Sequence, residues 1–150
     1  GGLQYPLTAN RAPRTQSMPD LTVDVISPEK PLFTGKADSV VARAWDGEVG
    51  IMPGHAPMLT KLGTGEVRIA QGANTTRFAI QSGFLEVANN KVVVLSEKAV
   101  AVEDTQWVKA EEIAAVEKEL AETSDSARRE ELEQRLAWMR ACEKLRSDVK

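Results

Sequence analysis

The chain has 150 residues, 42% of them apolar and 27% charged, with a formal net charge of −3. That balance suits a packed core in one average domain or two small ones. It excludes a membrane-spanning segment, because no apolar run approaches the roughly 20 residues that a span needs, and it argues against nucleic acid, whose phosphates require clustered cations.

Residues 1–17 carry Arg11 and Arg14 but no acid, have no hydrophobic period and lack the apolar stretch of a signal peptide. They are expected to be a tag or disordered extension outside the fold. Residues 18–102 are expected to form a β-domain. Leu21, Val23 and Val25 alternate with Thr22, Asp24 and Ile26, mostly with a period of two. Pro28 and Pro31 punctuate a loop, and Ser39–Ala44 reads as a second strand. Asp46-Gly47 is a tight-turn signal before a third strand, Glu48–Met52. Pro53-Gly54-His55-Ala56-Pro57 forms a rigid loop. Two hairpins follow, Glu66–Ala70 with Thr76–Ile80 around Gly72-Ala73-Asn74, and Phe84–Val87 with Val92–Leu95 around Asn89-Asn90. No helix-length segment separates these strands, so an antiparallel sandwich or flattened barrel is expected rather than a parallel sheet.

Residues 103–150 change texture. Alanine, glutamate, leucine, arginine and lysine dominate, and glycine and proline are absent after Asp104. Asp104 or Thr105 is the expected cap of a first helix, which carries Ile113, Val116 and Leu120 on one face. Asp125 or Ser126 caps a second helix with Leu132, Leu136, Met139, Cys142 and Leu145 on one face. Each helix is expected to run roughly 18–20 residues, or about 27–30 Å. The short polar break between them makes an antiparallel two-helix hairpin. The fold class is therefore α+β.

Motifs for chemistry are sparse. His55 is the only histidine, which rules out a histidine-rich or Cys/His metal site. No Gly-x-Ser-x-Gly turn displays a nucleophile, and Gly35-Lys36 lacks the frame of a phosphate-binding loop. Glu111-Glu112 and Glu130-Glu131 read as solvated helix faces. Cys142 reads as a small buried apolar residue, and a lone cysteine fits a reducing compartment. Trp107 and Trp138 either anchor an interface or pack within the protein, with packing favoured. Arg128, Arg129, Arg135, Arg140, Lys144 and Arg146 are interleaved with acids. They either pair internally, as in Glu131–Arg135, or meet an acidic partner.

The run Asp46-Gly47-Glu48-Val49-Gly50-Ile51-Met52-Pro53-Gly54-His55-Ala56-Pro57-Met58-Leu59-Thr60 resembles the E-G-E-x-G-I-x-P-G-H-A-P-L-L-T signature of epsilon subunits of bacterial F-type rotary ATP synthases. Ser82–Val87 and Asn90–Leu95 match a second stretch of that family, and the resemblance extends through the helices. It implies a β-sandwich of about ten strands and a C-terminal helical hairpin. It also implies a non-catalytic, peripheral central-stalk subunit on the cytoplasmic face of the bacterial plasma membrane. The implied partners are the gamma subunit, the c-subunit ring and, through the hairpin, the alpha and beta subunits of the catalytic head. The hairpin is implied to inhibit ATP hydrolysis, with Arg128, Arg135, Arg140 and Lys144 as its contacts. Ser27, Glu48 and His55 match positions near the c-ring contact.

Some family members bind ATP through Ile/Leu-Asp-x-x-Arg-Ala and Lys-Arg-Ala-x-x-Arg-Leu. Here Asp104, Arg140 and Lys144 remain, but Trp107 and Val108 replace the first motif's arginine and alanine. Lys144 also lacks the planar fork of an arginine. ATP binding is expected to be weak or absent, and no cofactor is expected. The readings that compete are an unrelated sandwich-and-hairpin adaptor and a nucleotide-sensing module.

Overall fold

The computed structural model describes residues 20–148; the expected extension over 1–17 lies outside them. Among the described residues seven strands follow one another: β1 (Leu21–Ile26), β2 (Pro31–Ala37), β3 (Ser39–Ala44), β4 (Gly47–Ile51), β5 (Met58–Gln71), β6 (Asn74–Ala88) and β7 (Lys91–Val100). They form one sheet in the order β2-β1-β7-β6-β5-β3-β4. The sheet folds over into two layers, and Phe33 of β2 meets Phe78 of β6 edge-on across the core at 6.4 Å. Inward residues alternate cleanly on the paired strands β1 and β7, as in Leu21, Val23 and Val25 of β1 and Val92 and Val94 of β7, all fully buried.

About ten strands were expected, and seven are found because three of them are long and bent. The β5–β6 ladder pairs Met58–Lys61 with Phe84–Val87, breaks, and resumes from Gly65↔Ile80 to Gln71↔Asn74. The β6–β7 ladder skips Ser82 and Glu97 at the same level. Ser82 and Gly83 have positive φ there, which supplies the bend. Gly65 lets β3 cross closely, since a Cβ on it would lie 2.7 Å from the Cβ of Arg43. The sheet is also not wholly antiparallel: β1 pairs parallel to β7 from Thr22↔Lys91 to Ile26↔Leu95. The long chain excursion between those strands provides the crossover that a parallel pair needs.

Both expected hairpins form. The β6–β7 turn holds Asn89 and Asn90 at φ 50 and 62, the left-handed pair of a tight turn that asparagine tolerates. The β3–β4 turn closes over Trp45-Asp46, with Gly47 at φ 135.

The helical region departs from expectation in its boundaries. Asp104 and Thr105 lie in a 3-10 turn, Val102–Thr105, and cap no α-helix. The first helix, α1 (Ala110–Glu122), is 13 residues long and the second, α2 (Ser126–Asp148), is 23. Asp125 caps α2 by accepting the Arg128 N–H at 2.9 Å. Arg129 closes the C-terminus of α1 by donating to the carbonyls of Leu120 and Thr123 at 2.6 and 2.9 Å.

Two apolar clusters result among the described residues. One fills the sandwich and is built from strand residues. The other joins Val108, Ile113, Val116, Leu132, Leu136, Trp138, Met139, Cys142 and Leu145 of the helical region to Ala79 of β6. Helix α2 therefore lies on the second face of the β5–β6 ladder. This explains why Phe78, Ala79, Ile80 and Gln81 are all buried, on both faces of one strand.

Candidate functional site

The three positions expected at a c-ring contact occupy three separate elements. Ser27 follows β1 and is largely buried; its hydroxyl donates to the Lys30 carbonyl at 3.0 Å and accepts the Lys30 N–H at 3.3 Å. It shapes a turn. His55 sits in the loop between β4 and β5, its Nδ1 2.7 Å from the Ala56 carbonyl oxygen, a contact that selects the Nδ1–H tautomer. That loop is tied to the β6–β7 turn, because the Gly54 N–H donates to Asn90 Oδ1 at 2.7 Å. The Asn90 carbonyl also accepts the Thr22 N–H at 2.8 Å. Glu48 on β4 is ion-paired with Arg68 of β5, taking Nη1 at 3.3 Å and Nη2 at 3.4 Å. Among the described residues, no hydrogen bond or ion pair links Ser27, Glu48 and His55.

The residues expected at a weak or vestigial ATP site lie on two elements, Asp104 on the 3-10 turn and Arg140 and Lys144 one turn apart on α2. Asp104 is exposed on the 3-10 turn. Arg140 pairs with Glu117 of α1, and Lys144 donates to Asp148 at 2.6 Å. The cations expected to contact the catalytic head are mostly engaged within the hairpin. Arg128 holds Glu119 at 2.8 Å and Glu131 at 3.4 Å, so Glu131 pairs with Arg128 at i,i+3 and not with Arg135 as expected. These two acids raise the Arg128 pKa. Arg135 is exposed and borders a cavity with Trp107 and Trp138.

Trp138 is buried in the hairpin cluster, as favoured from sequence, whereas Trp107 stays 44% exposed. Lys98 of β7 lies over the Trp138 ring, 5.7 Å from its centroid. Cys142 is fully buried, and burial pushes its thiol up to about 11.

Sequence reasoning missed the polar floor beneath α2. On β5 and β6, Glu66, Arg68, Arg77 and Gln81 face the helix. Gln81 Nε2 donates to the Gln134 carbonyl of α2 at 3.0 Å and to Thr64 Oγ1 at 2.9 Å. Arg146 of α2 donates to the carbonyls of Thr105 and Val108 at 2.6 and 2.9 Å, clamping the segment that leads into α1. The expected strand Glu66–Ala70 sets Glu66 and Arg68 on one face by its period of two, but nothing in it reveals that a helix covers that face.

Away from the hairpin, four large apolar side chains are exposed around the first half of the β5–β6–β7 ladders: Trp45 at 67%, Leu59 at 69%, Phe84 at 48% and Leu95 at 49%. Phe84 and Leu95 are direct cross-strand partners and border a cavity of about 320 Å³ with Ile26, Ser27 and Pro28. No described helix is long and apolar enough to cross a membrane.

Residues 20–102 match the family model described as the ATP synthase delta/epsilon chain, beta-sandwich domain. An ATP synthase epsilon chain of Halorhodospira halophila is 39% identical over 140 residues, covering 89% of this chain and 99% of that one. An ATP synthase epsilon chain of Hydrogenovibrio crunogenus is 47% identical over 92 residues, 61% of this chain, and the match spans only 64% of the relative's length. In fold, the chain is similar to one in the Euglena gracilis mitochondrial ATP synthase OSCP/F1/c-ring structure, with a TM-score of 0.70 at 19% identity, covering 100% of this chain and 91% of that one. With a matching sandwich model over more than half its length and a full-length relative, the chain belongs to the ATP synthase epsilon-chain family.

Proposed function

We propose that this chain couples rotation in the central stalk of an F-type ATP synthase, with its sandwich as the docking body and its hairpin as a detachable brake on ATP hydrolysis. The observation that carries this reading is the polar seam between the two parts. The hairpin core takes only Ala79 from the buried strand residues, and the remaining contacts include Gln81, Lys98, Glu66 and their helix partners. Much of that seam is polar, and the apolar face that release uncovers can be covered again by a partner subunit, so in the assembled complex a docked and a released hairpin can lie within a few kcal/mol of each other. On release, Arg128, Arg140 and Lys144 can exchange the hairpin's own acids for acids of the alpha and beta subunits.

The exposed strip of Trp45, Leu59, Phe84 and Leu95 supports the docking role, since aromatic and aliphatic anchors in a polar surround suit a protein interface. We assign it to the gamma subunit, and the ends bearing Ser27, Glu48 and His55 to the c-ring. In this reading the chain is peripheral, on the cytoplasmic face of a bacterial membrane, and the chemistry belongs to other subunits. Truncation after Val102 tests the brake: hydrolysis by the reconstituted complex should rise severalfold, and an unchanged rate would remove the inhibitory role. Phe84→Glu tests the strip, and should weaken copurification with gamma while leaving the isolated fold intact. Calorimetry of the isolated chain should give no micromolar ATP binding, because Trp107 stands where a guanidinium is needed and Arg140 is held by Glu117.

A further inference from the structure

We propose that Glu66 and Asp148 form a proton-sharing latch that fastens the last turn of α2 to β5, closed while one proton lies between the two carboxyls and loosened when it leaves. The latch concerns the free chain and does not depend on assembly into any complex.

The geometry starts from an orphaned atom. The Glu66 side chain is 5% exposed, and its Oε1 accepts from Arg77 Nη1 at 3.0 Å. Its Oε2 is buried with no hydrogen-bond donor among the described residues. Lys144 Nζ is 4.0 Å from Oε2, too far for a hydrogen bond, and is committed to Asp148 at 2.6 Å. The Asp148 carboxyl lies within hydrogen-bonding reach of Glu66. Two carboxylates at that range repel, whereas one carboxyl and one carboxylate make a short, charge-assisted hydrogen bond. A proton on Glu66 thus gives the orphaned side chain a donor of its own and aims it at α2.

The surrounding charges fix where the proton sits. On Glu66's own sheet, Arg68 of β5 is 3.9 Å away and Arg77 of β6 is bonded to it, while Arg43 of β3 and Glu48 of β4 border the same cavity of about 200 Å³. From α2 come Lys144 and Asp148. Burial, then Asp148, pushes the Glu66 pKa above its ordinary value, against the pull of Arg77 and Lys144. Lys144, then Glu66, holds that of Asp148 below its ordinary value. The proton therefore belongs to Glu66 and the charge to Asp148. The sign follows from linkage: a carboxyl whose pKa is higher docked than released favours docking at low pH, and that contribution is lost as pH rises through the docked value.

The test uses the isolated full chain, with carboxyl NMR on Glu66 and amide exchange of residues 145–147 corrected for intrinsic rates. The wild type should titrate Glu66 above 4.5. Protection of the α2 end should fall as pH rises, by up to about tenfold for each pH unit separating the released and docked titration points. Glu66→Gln keeps an acceptor for Arg77 and offers Asp148 a permanent N–H donor, so its protection should be flat over that range. Asp148→Asn removes the second carboxyl and offers Glu66 an N–H donor, so it should lower the Glu66 titration point, and protection should no longer fall as pH rises. A Glu66 titration at or below 4.5 would overturn the latch, as would a pH-dependent loss in Glu66→Gln equal to that of the wild type. Should Glu66→Gln not fold, an unmoved Glu66 titration in Asp148→Asn overturns it instead.

Discussion

At Gly83 the chain takes φ +116 while passing so close to β7 that a Cβ would meet the Leu95 carbonyl and sit 2.7 Å from the Cα of Ser96. Neither the angle nor the space tolerates a side chain. Gly83→Ala should therefore destabilise the protein by about 3 kcal/mol or more, read as a lower denaturant midpoint. Cys142 makes a second prediction at this scale. With its thiol buried and pushed up to about 11, only about a thousandth of it would be thiolate at pH 8 even with free access. Alkylation should be at least about a hundredfold slower in the folded chain than in denaturant, so any faster labelling reports hairpin release. Cys142 was legible in the sequence, because its spacing from Leu132, Leu136, Met139 and Leu145 set it on the apolar face. Glu66 was not, because its burial comes from α2, a segment far along the chain.

Elements with their own local signals were read well. Asn89-Asn90 and Gly72-Ala73 specify tight turns by backbone chemistry, and the strands beside them followed. The bends at Gly65 and Ser82-Gly83 were read as strand ends, because a glycine that kinks a strand looks the same in sequence as one that ends it. The start of α1 was misread for a related reason. Asp104-Thr105 is a good capping pair, but Thr105 turns its hydroxyl back onto the Val102 carbonyl at 2.6 Å, and Arg146 takes the carbonyls of Thr105 and Val108. A distant arginine thus holds this segment out of the α-helix. Arg146→Ala should remove two charge-assisted hydrogen bonds, costing about 1.5–3 kcal/mol of docking stability. Faster amide exchange at 108–113, with the sandwich strands unaffected, would check it. A 13-residue helix such as α1 is marginal alone, so it depends on that clamp and on α2.

Across the whole molecule, the sandwich keeps its apolar core without help from the helices, whereas the hairpin cluster is completed by Ala79 and edged by Val100 and Val102. A chain ending at Val102 should still unfold cooperatively, seen by circular dichroism in urea, with a smaller denaturant slope than the full chain because less surface is exposed. The hairpin alone should not fold, since its cluster would be left open where Ala79, Val100 and Val102 now cover it. The division into a β-part and a helical part was visible as a change of composition. How the parts meet was not, because a polar seam leaves no hydrophobic period to read.

The parallel pairing of β1 with β7 also constrains how the protein comes into being. During synthesis the first strand leaves the ribosome long before its neighbour exists. Only β2 can pair with it meanwhile, as a lone two-stranded ribbon of little stability. The sheet cannot close until Lys91–Leu95 has emerged, so folding of the sandwich is a late, non-local and comparatively slow event. The helices are made after the strands, and they find their polar floor only once β5 and β6 are already joined.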